Sequence, residues 1–288
     1  MDLDRLVEAA PAWCARLGDG TDVWTGPEAA FGGGPAPTHR VARLAVDALA
    51  PPATPGTAVP VHESGAGSFS VEHHDLGGWT GVWHPVGRNW VLVSSDGQRW
   101  AVGGSPSPAQ SWVHVRFVLR HLVTAHLLAR PRAQVVHAVA ARHDSGGDPV
   151  VAVVGPTTSG KTRLVNRLVA TGVLDEVVED DCAVVADGAL AGLFPTEHEL
   201  RRLRVHPIGA VVALDETVDR VREGDLADVA RWAAACQVPW PVDWLPGAPT
   251  RPSTPTPFAA GTTCIVAPIR RDDDPTVVAE IARLLRGA

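Results

Sequence analysis

The chain has 288 residues, of which 45% are hydrophobic and 20% are charged, and its formal net charge is −7. These values are typical of a globular protein with a substantial core, and an acidic balance without a basic stripe argues against a nucleic-acid partner. The four cysteines are widely spaced with no C-x-x-C pair, which argues against a disulfide framework or a structural zinc site. The N-terminal segment is not typical of a signal peptide, and no apolar run approaches the roughly 20 residues that span a bilayer. We therefore expect a cytoplasmic protein with no membrane partner.

Residues 1–108 are predicted to form a β-rich N-terminal region. Apolar residues at helical spacing predict a short helix over 2–17, and alternating residues over 68–102 predict strands, with a hairpin turning at Asp96-Gly97. We expect four tryptophans to cover one face of this sheet, as core residues rather than as an aromatic ligand cage. They are Trp79, Trp83, Trp90 and Trp100.

Residues 109–288 are predicted to form an α/β domain. A helix is expected over 110–129, followed by a strand over 134–141 and by a β-branched strand that ends at Gly155. Later strands are expected at 176–185, 190–194, 208–214 and 262–269, and helices over 221–235 and after an Asp274 cap. The prolines between 239 and 257 predict a draped loop, which could act as a lid.

The most informative stretch is GPTTSGKT, which fits the pattern G-x-x-x-x-G-K-[ST] at every position. A buried strand is predicted before it and a helix ending at Gly172 after it. In such a phosphate loop, backbone N–H groups form an anion-binding concavity at the positive end of the helix. The pattern predicts nucleotide or polyphosphate binding; the alternative is an accidental glycine-rich turn. The predicted binding residues are Gly155, Pro156, Thr157, Thr158, Ser159, Gly160, Lys161, Thr162 and Arg163.

Within this loop two side chains have specific expected roles. Lys161 can reach the β- and γ-phosphates, and the hydroxyl of Thr162 can bind Mg²⁺. An acidic pair, Asp180-Asp181, follows in an extended segment, where adjacent side chains point to opposite faces. One carboxylate could then complete a Mg²⁺ shell through water while the other faces an incoming hydroxyl. The alternative for this pair is a solvated turn.

Taken together, these features resemble a known family. His137 on a strand, the loop GPTTSGKT and the Asp180-Asp181 pair resemble the catalytic domain of HPr kinase/phosphorylase, and more closely the small HPr-kinase-like proteins of peptide natural-product pathways. The resemblance covers roughly residues 110–215. It implies a P-loop core with a mixed sheet, beside the smaller β-rich N-terminal region, and a kinase that moves the γ-phosphoryl group of ATP to a hydroxyl.

The resemblance also implies roles by position. Asp180 would take the proton of the hydroxyl, Asp181 would help to hold Mg²⁺, and His137 would lie beside the transferring group with Lys161. Glu199 is the expected second Mg²⁺ contact. Arg202 or Arg204 is the expected partner of the transition state. A core histidine at 137 and a solvated face at the arginines are the structural alternatives.

The favoured function is therefore an ATP- and Mg²⁺-dependent kinase. Its acceptor would be Ser or Thr of a peptide or protein, or a small hydroxylated metabolite. The sequence is also compatible with a homo-oligomer. Two other functions remain open: a nucleotide-binding scaffold or sensor without phosphotransfer, and an NTP hydrolase.

Overall fold

A computed structural model describes most of the chain. The described residues are 2–16, 22–23, 39–45, 48–63, 67–104, 108–128, 133–142, 149–156, 158–180, 183–186, 188–192, 201–202, 205–235, 245, 258–269 and 274–287. Within them the chain divides into two compact units. Each unit contains parallel and antiparallel strand pairs together with a few helices. The protein is therefore of the mixed α/β class.

The described residues form five helices and eighteen strands. The helices are α1 (Leu3–Ala9), α2 (Pro108–Leu128), α3 (Lys161–Ala170), α4 (Leu226–Ala235) and α5 (Pro275–Arg286). The strands are β1 (Ala12–Arg16), β2 (Asp22–Val23), β3 (His39–Arg43), β4 (Thr57–Glu63), β5 (Gly67–Asp75), β6 (Trp79–His84), β7 (Asn89–Ser94), β8 (Arg99–Gly103), β9 (Gln134–Val136), β10 (Ala138–Arg142), β11 (Val150–Val154), β12 (Val177–Asp180), β13 (Ala183–Ala186), β14 (Ala189–Gly192), β15 (Arg201–Arg202), β16 (Val205–Asp215), β17 (Arg222–Glu223) and β18 (Thr263–Pro268). None of the helices in this described part combines the length and apolar character that crossing a bilayer requires.

The first unit is a mixed sheet that buries both of its faces. In the described residues the strand order is β15-β2-β1-β3-β8-β7-β6-β5-β4, and β3 with β8 is its parallel pair. Side chains of a strand alternate between the faces. Val91 and Val93 of β7 therefore pack with α2, while Leu92 packs in the cluster that contains α1. The predicted hairpin between β7 and β8 is confirmed, and Gly97 in its turn has a φ of 71°.

The four tryptophans of this sheet are buried core residues, as expected. The expectation that they share one face is wrong, because Trp79, Trp83 and Trp90 pack on the α1 face and Trp100 packs on the α2 face. Trp100 is paired with Val93, which lies an odd number of residues from Trp90 along β7. Their side chains therefore point to opposite sides of the sheet.

The N-terminal helix is shorter than predicted, since the segment 2–17 divides into α1 and strand β1. Pro11 disfavours helical backbone at the residue before it, and Ala10 is extended (ψ 147°). The chain then pairs with β3, whose Arg40 donates hydrogen bonds to the carbonyls of Val7 and Ala10 at 2.9 and 3.1 Å. Arg40 thus satisfies carbonyl groups that the end of a helix leaves without partners.

The second unit contains another mixed sheet, covered by helices on both faces. In the described residues its order is β12-β10-β11-β16-β14-β13-β9, and β18 extends it from β16. The pairs β11 with β16 and β16 with β18 are parallel. Helices α3 and α5 pack on one face, and α4 packs on the other. Strand β11, which precedes the GPTTSGKT segment, is buried along its whole length.

This division differs from the sequence boundary after residue 108, because the first unit also contains most of α2, strand β15 and Leu245. The described residues of α2 up to His126 belong to the first unit, because Val115, Val118 and Leu119 pack against its sheet. Leu245 also belongs to that core. The rest of the proline-rich segment 239–257 lies outside the described residues, so its function as a lid stays a prediction.

Candidate functional site

The GPTTSGKT segment connects β11 to α3 in the second unit, as the sequence predicted. Gly155 is buried where β11 ends, and a Cβ added there would lie 2.7 Å from Ser159 Oγ and 3.0 Å from Leu214 Cβ. Only glycine fits this position without a shift of its neighbours. The loop therefore turns immediately at the edge of the sheet, directly beside the parallel strand β16.

Among the described residues of the loop, Thr158 with φ 68° and Gly160 with φ 91° have left-handed backbone. Alternation of right- and left-handed residues turns successive N–H groups toward one concave side, which is the arrangement that binds anions. Gly160 is also the N-cap of α3, and no side chain caps this helix end. The left-handed Gly160 thus lies directly before the N-terminus of α3, and the binding of phosphate at this helix end stays a prediction.

Lys161, the first residue of α3, lies across its own loop. Its side chain is 4% exposed, and Nζ donates hydrogen bonds to the carbonyl oxygens of Gly155 at 2.9 Å and Pro156 at 2.8 Å. Lys161 is also the only lysine in the 288-residue sequence. The ammonium group is therefore held at the loop, where an incoming polyphosphate could take the place of the two carbonyl acceptors.

Thr162 joins the loop to the acidic segment that follows α3. Its hydroxyl donates a hydrogen bond to Asp180 Oδ1 at 2.8 Å, and both side chains are exposed. Asp180 is the last residue of β12, which pairs with β10 next to the buried strand β11. The predicted proximity of Asp180 to the loop is therefore present in the structure, through Thr162.

His137 lies between β9 and β10, on the same face of the sheet as Asp180. Val136 and Ala138 pack on the α4 side and Val139 packs on the α3 side, so the alternation puts His137 on the α3 side. Asp180 is paired with Val139 and shares that side. His137 itself lies outside β9 and β10, two residues before the Val139 that pairs with Asp180. His137 is partly buried, and its role beside the transferring group stays a prediction.

Five of the predicted residues are not among the described residues of the second unit. Thr157, Asp181, Glu199 and Arg204 lie outside the described residues, so their roles stay predictions. Arg202 lies in β15 of the first unit, where it is paired with Asp22 of β2. The second unit by itself therefore does not include Arg202.

An acid at the end of β16 was not among the residues predicted from the sequence. Asp215 is 6% exposed and ends the strand that runs parallel to β11. Its Oδ1 accepts hydrogen bonds from the backbone N–H and the hydroxyl of Thr217, both at 2.7 Å. Asp215 thus closes the turn after β16, and we assign it a structural role in holding this edge of the sheet.

A cleft lies beside the loop and is lined by α3, α5 and the ends of β16 and β18. Its lining comes from four separate segments of the second unit. Sequence patterns carry no signal for it, because the distant segments meet only through the strand order β11-β16-β18.

Similarity to known proteins is weak. No protein-family model and no curated protein matches the chain. Among solved structures, the chain is similar to the HPr(Ser) kinase/phosphatase from Coxiella burnetii, with 13% identity and a TM-score of 0.27. The match covers 54% of this chain and 89% of that one. A likeness at this level carries no argument about function, so the function is inferred from the site itself.

Proposed function

We propose that this chain is an ATP- and Mg²⁺-dependent kinase with a P-loop core, which transfers the γ-phosphoryl group to a hydroxyl acceptor. The observation that carries the proposal is the hydrogen bond of 2.8 Å from Thr162 to Asp180 at the start of α3, directly after a loop with the phosphate-loop sequence. This contact joins a phosphate-binding element to an acidic side chain. A phosphotransferase needs both groups at one point.

In the proposed complex the loop residues from Gly155 to Arg163 surround the triphosphate. Backbone N–H groups of the loop and of the first turn of α3 donate to phosphate oxygens. Lys161 exchanges the carbonyls of Gly155 and Pro156 for phosphate oxygens. This exchange is favourable because a cation donates more strongly to an anionic acceptor than to a neutral one.

Thr162 and Asp180 fit a magnesium ion. A hydroxyl and a carboxylate are the hard oxygen ligands that Mg²⁺ prefers, and this ion is usually held by one or two protein groups together with phosphates and water. When bound, it would neutralise the charge that develops on the β- and γ-phosphates. We therefore assign Asp180 to the metal side, a role that the family resemblance gave to Asp181.

His137 is the described side chain that we assign to the acceptor hydroxyl. It shares the face of Asp180, and a neutral imidazole can accept a hydroxyl proton near neutral pH. The acceptor we propose is a Ser or Thr of a peptide or protein, or a small hydroxylated metabolite. Asp181 and Glu199 keep their sequence-based assignments as further Mg²⁺ contacts.

Incubation with γ-labelled ATP, Mg²⁺ and panels of peptide and small-molecule acceptors, followed by mass spectrometry, tests the proposal. We expect one acceptor class to gain a phosphoryl group, and we expect Lys161→Met to abolish the gain. Phosphate release at the same rate with and without every acceptor would contradict the kinase proposal and indicate an NTP hydrolase. ATP binding without any turnover would indicate a nucleotide-binding module.

A magnesium titration separates the two possible roles of Asp180. Asn at this position can still accept the hydrogen bond from Thr162, so Asp180→Asn preserves the local geometry. If Asp180 helps to hold Mg²⁺, the variant needs a higher Mg²⁺ concentration for its half-maximal rate and recovers activity as Mg²⁺ rises. If Asp180 instead accepts the proton of the acceptor hydroxyl, kcat falls by a factor of about 10²–10⁴ at every Mg²⁺ concentration. Asp175→Asn, at an exposed acid between α3 and β12, is the matched control.

A further inference from the structure

The chain makes a tight turn within the GPTTSGKT segment. The backbone N–H of Ser159 donates a hydrogen bond to the carbonyl oxygen of Pro156 at 3.2 Å, which closes a four-residue turn. Thr158 is the third residue of this turn, and its φ is 68°. Turns with a positive φ at the third residue favour glycine or asparagine there. A threonine therefore occupies a position that other residue types fill at a lower cost in free energy.

The threonine makes this turn strained. A left-handed backbone brings the Cβ of an L-residue close to the following carbonyl oxygen, and the branched Cβ of threonine makes it a marked outlier there. The side chain of Thr158 is exposed, so burial of apolar surface does not offset this cost. Strain of this kind persists where the surrounding structure holds the residue in place. The loop therefore needs contacts that keep the turn closed.

Lys161 supplies such a contact. Its Nζ donates a hydrogen bond of 2.8 Å to the same carbonyl of Pro156 that accepts from Ser159, and one of 2.9 Å to the carbonyl of Gly155. The Pro156 carbonyl thus receives one backbone donor and one charged donor, and the charged donor forms the stronger hydrogen bond. A phosphate that draws the ammonium group to itself removes this donor from the turn. The strain at Thr158 is then opposed only by the bound phosphate and one backbone hydrogen bond.

We propose that Thr158 is a strained residue that promotes opening of the loop: Lys161 restrains it in the free protein, and its strain speeds the release of a bound nucleotide. The strain raises the free energy of the closed turn, but not that of an open turn in which Thr158 adopts an unstrained backbone. Opening is therefore more frequent than with a residue that accepts positive φ. The release step rests on the proposed function, since it takes the loop as the nucleotide site, whereas opening of the empty loop does not.

Two substitutions at this exposed residue separate backbone strain from side-chain contacts. Asparagine adopts left-handed backbone readily, so Thr158→Asn relieves the strain. Valine keeps the branched Cβ, so the matched control Thr158→Val keeps the strain and removes only the hydroxyl. Hydrogen–deuterium exchange of the loop in the nucleotide-free protein, followed by mass spectrometry, measures how often the turn opens. Stopped-flow displacement of a fluorescent ADP analogue by excess ADP, with Mg²⁺ present, measures the rate of release.

We expect Thr158→Asn to slow both the exchange of the loop and the release of the ADP analogue about fivefold, while Thr158→Val stays within about twofold of the wild type. Exchange or release at the wild-type rate in Thr158→Asn would overturn the inference. Equal slowing in both variants would also overturn it, because the hydroxyl and not the strain would then control opening. If the exchange pattern held but the wild type bound no ADP analogue, the proposed function and the release step would fail, and the strained turn would stand.

Discussion

Replacing Lys161 by Met removes the ammonium group and keeps a side chain of similar length in a site that is 4% exposed. The protein loses hydrogen bonds of 2.9 and 2.8 Å to the carbonyls of Gly155 and Pro156. A buried carbonyl left without a donor costs about 1–3 kcal/mol, but the variant also no longer buries a charge. Because these contributions have opposite signs, we expect the unfolding midpoint to move by only a few degrees.

The effect on ATP affinity should be much larger than the effect on stability. In the free protein Lys161 already donates hydrogen bonds to neutral carbonyl oxygens. ATP binding therefore gains only the free-energy difference between hydrogen bonds to phosphate oxygens and hydrogen bonds to carbonyl oxygens. A charged hydrogen bond contributes about 1.5–3 kcal/mol, and loss of one such net contribution weakens binding about 10- to 150-fold. Isothermal titration with Mg·ATP measures this loss directly.

Arg286→Met is the matched control, since it removes one positive charge from an exposed position at the end of α5. We expect its ATP affinity to equal that of the wild type. If Lys161→Met bound ATP within about threefold of the wild type, Lys161 would not contact phosphate, and the phosphate-loop interpretation on which the kinase proposal rests would be refuted.

Three further predictions concern the pH dependence of stability, a helix end and the loop. Burial, together with the nearby His84, lowers the pKa of His114 to about 4, whereas the unfolded chain has the ordinary value of 6.5. Between pH 4 and 6.5, His114 therefore binds a proton in the unfolded state but not in the folded state, so the free energy of unfolding should fall as the pH drops through this range. The variant His114→Gln should show a smaller decline, and urea unfolding curves measured across the range test this. Arg40→Ala should lower the free energy of unfolding by about 1–3 kcal/mol, because carbonyls at the end of α1 lose a charged donor; an unchanged urea midpoint would contradict this. Gly155→Ala should keep its far-UV circular dichroism and lose at least about tenfold in ATP affinity in the same calorimetric assay, because the new Cβ displaces Ser159 or Leu214.

The sequence predicted those parts of the site that local rules determine. The apolar strand, the glycines and the helix from Lys161 are coded by neighbouring residues, and their observed bounds agree with the prediction. The same holds for α5, where the Asp274 side chain accepts a hydrogen bond from the backbone N–H of Thr276, as its cap position predicts.

The features that could not be predicted from the sequence depend on strand pairing and packing between segments that are distant along the chain. The contact between Thr162 and Asp180 exists because β12 pairs with β10 in one register, and a shift by one residue would turn Asp180 to the other face. Residues 12–16 satisfy a helical pattern but become strand β1 because β3 offers it a partner. The cleft likewise needs Pro268 and Val277 from the far end of the chain.

The single lysine of this chain also makes Lys161 a natural reporter. A protease that cuts only after lysine has one target bond in the whole sequence, and that bond lies in the first turn of α3 with the side chain buried. Such a bond is cut only from a locally opened state, so the digestion rate measures how often the loop opens. A ligand that holds the loop closed slows the appearance of the two fragments, which gives a gel-based measurement of occupancy without labels or engineered cysteines.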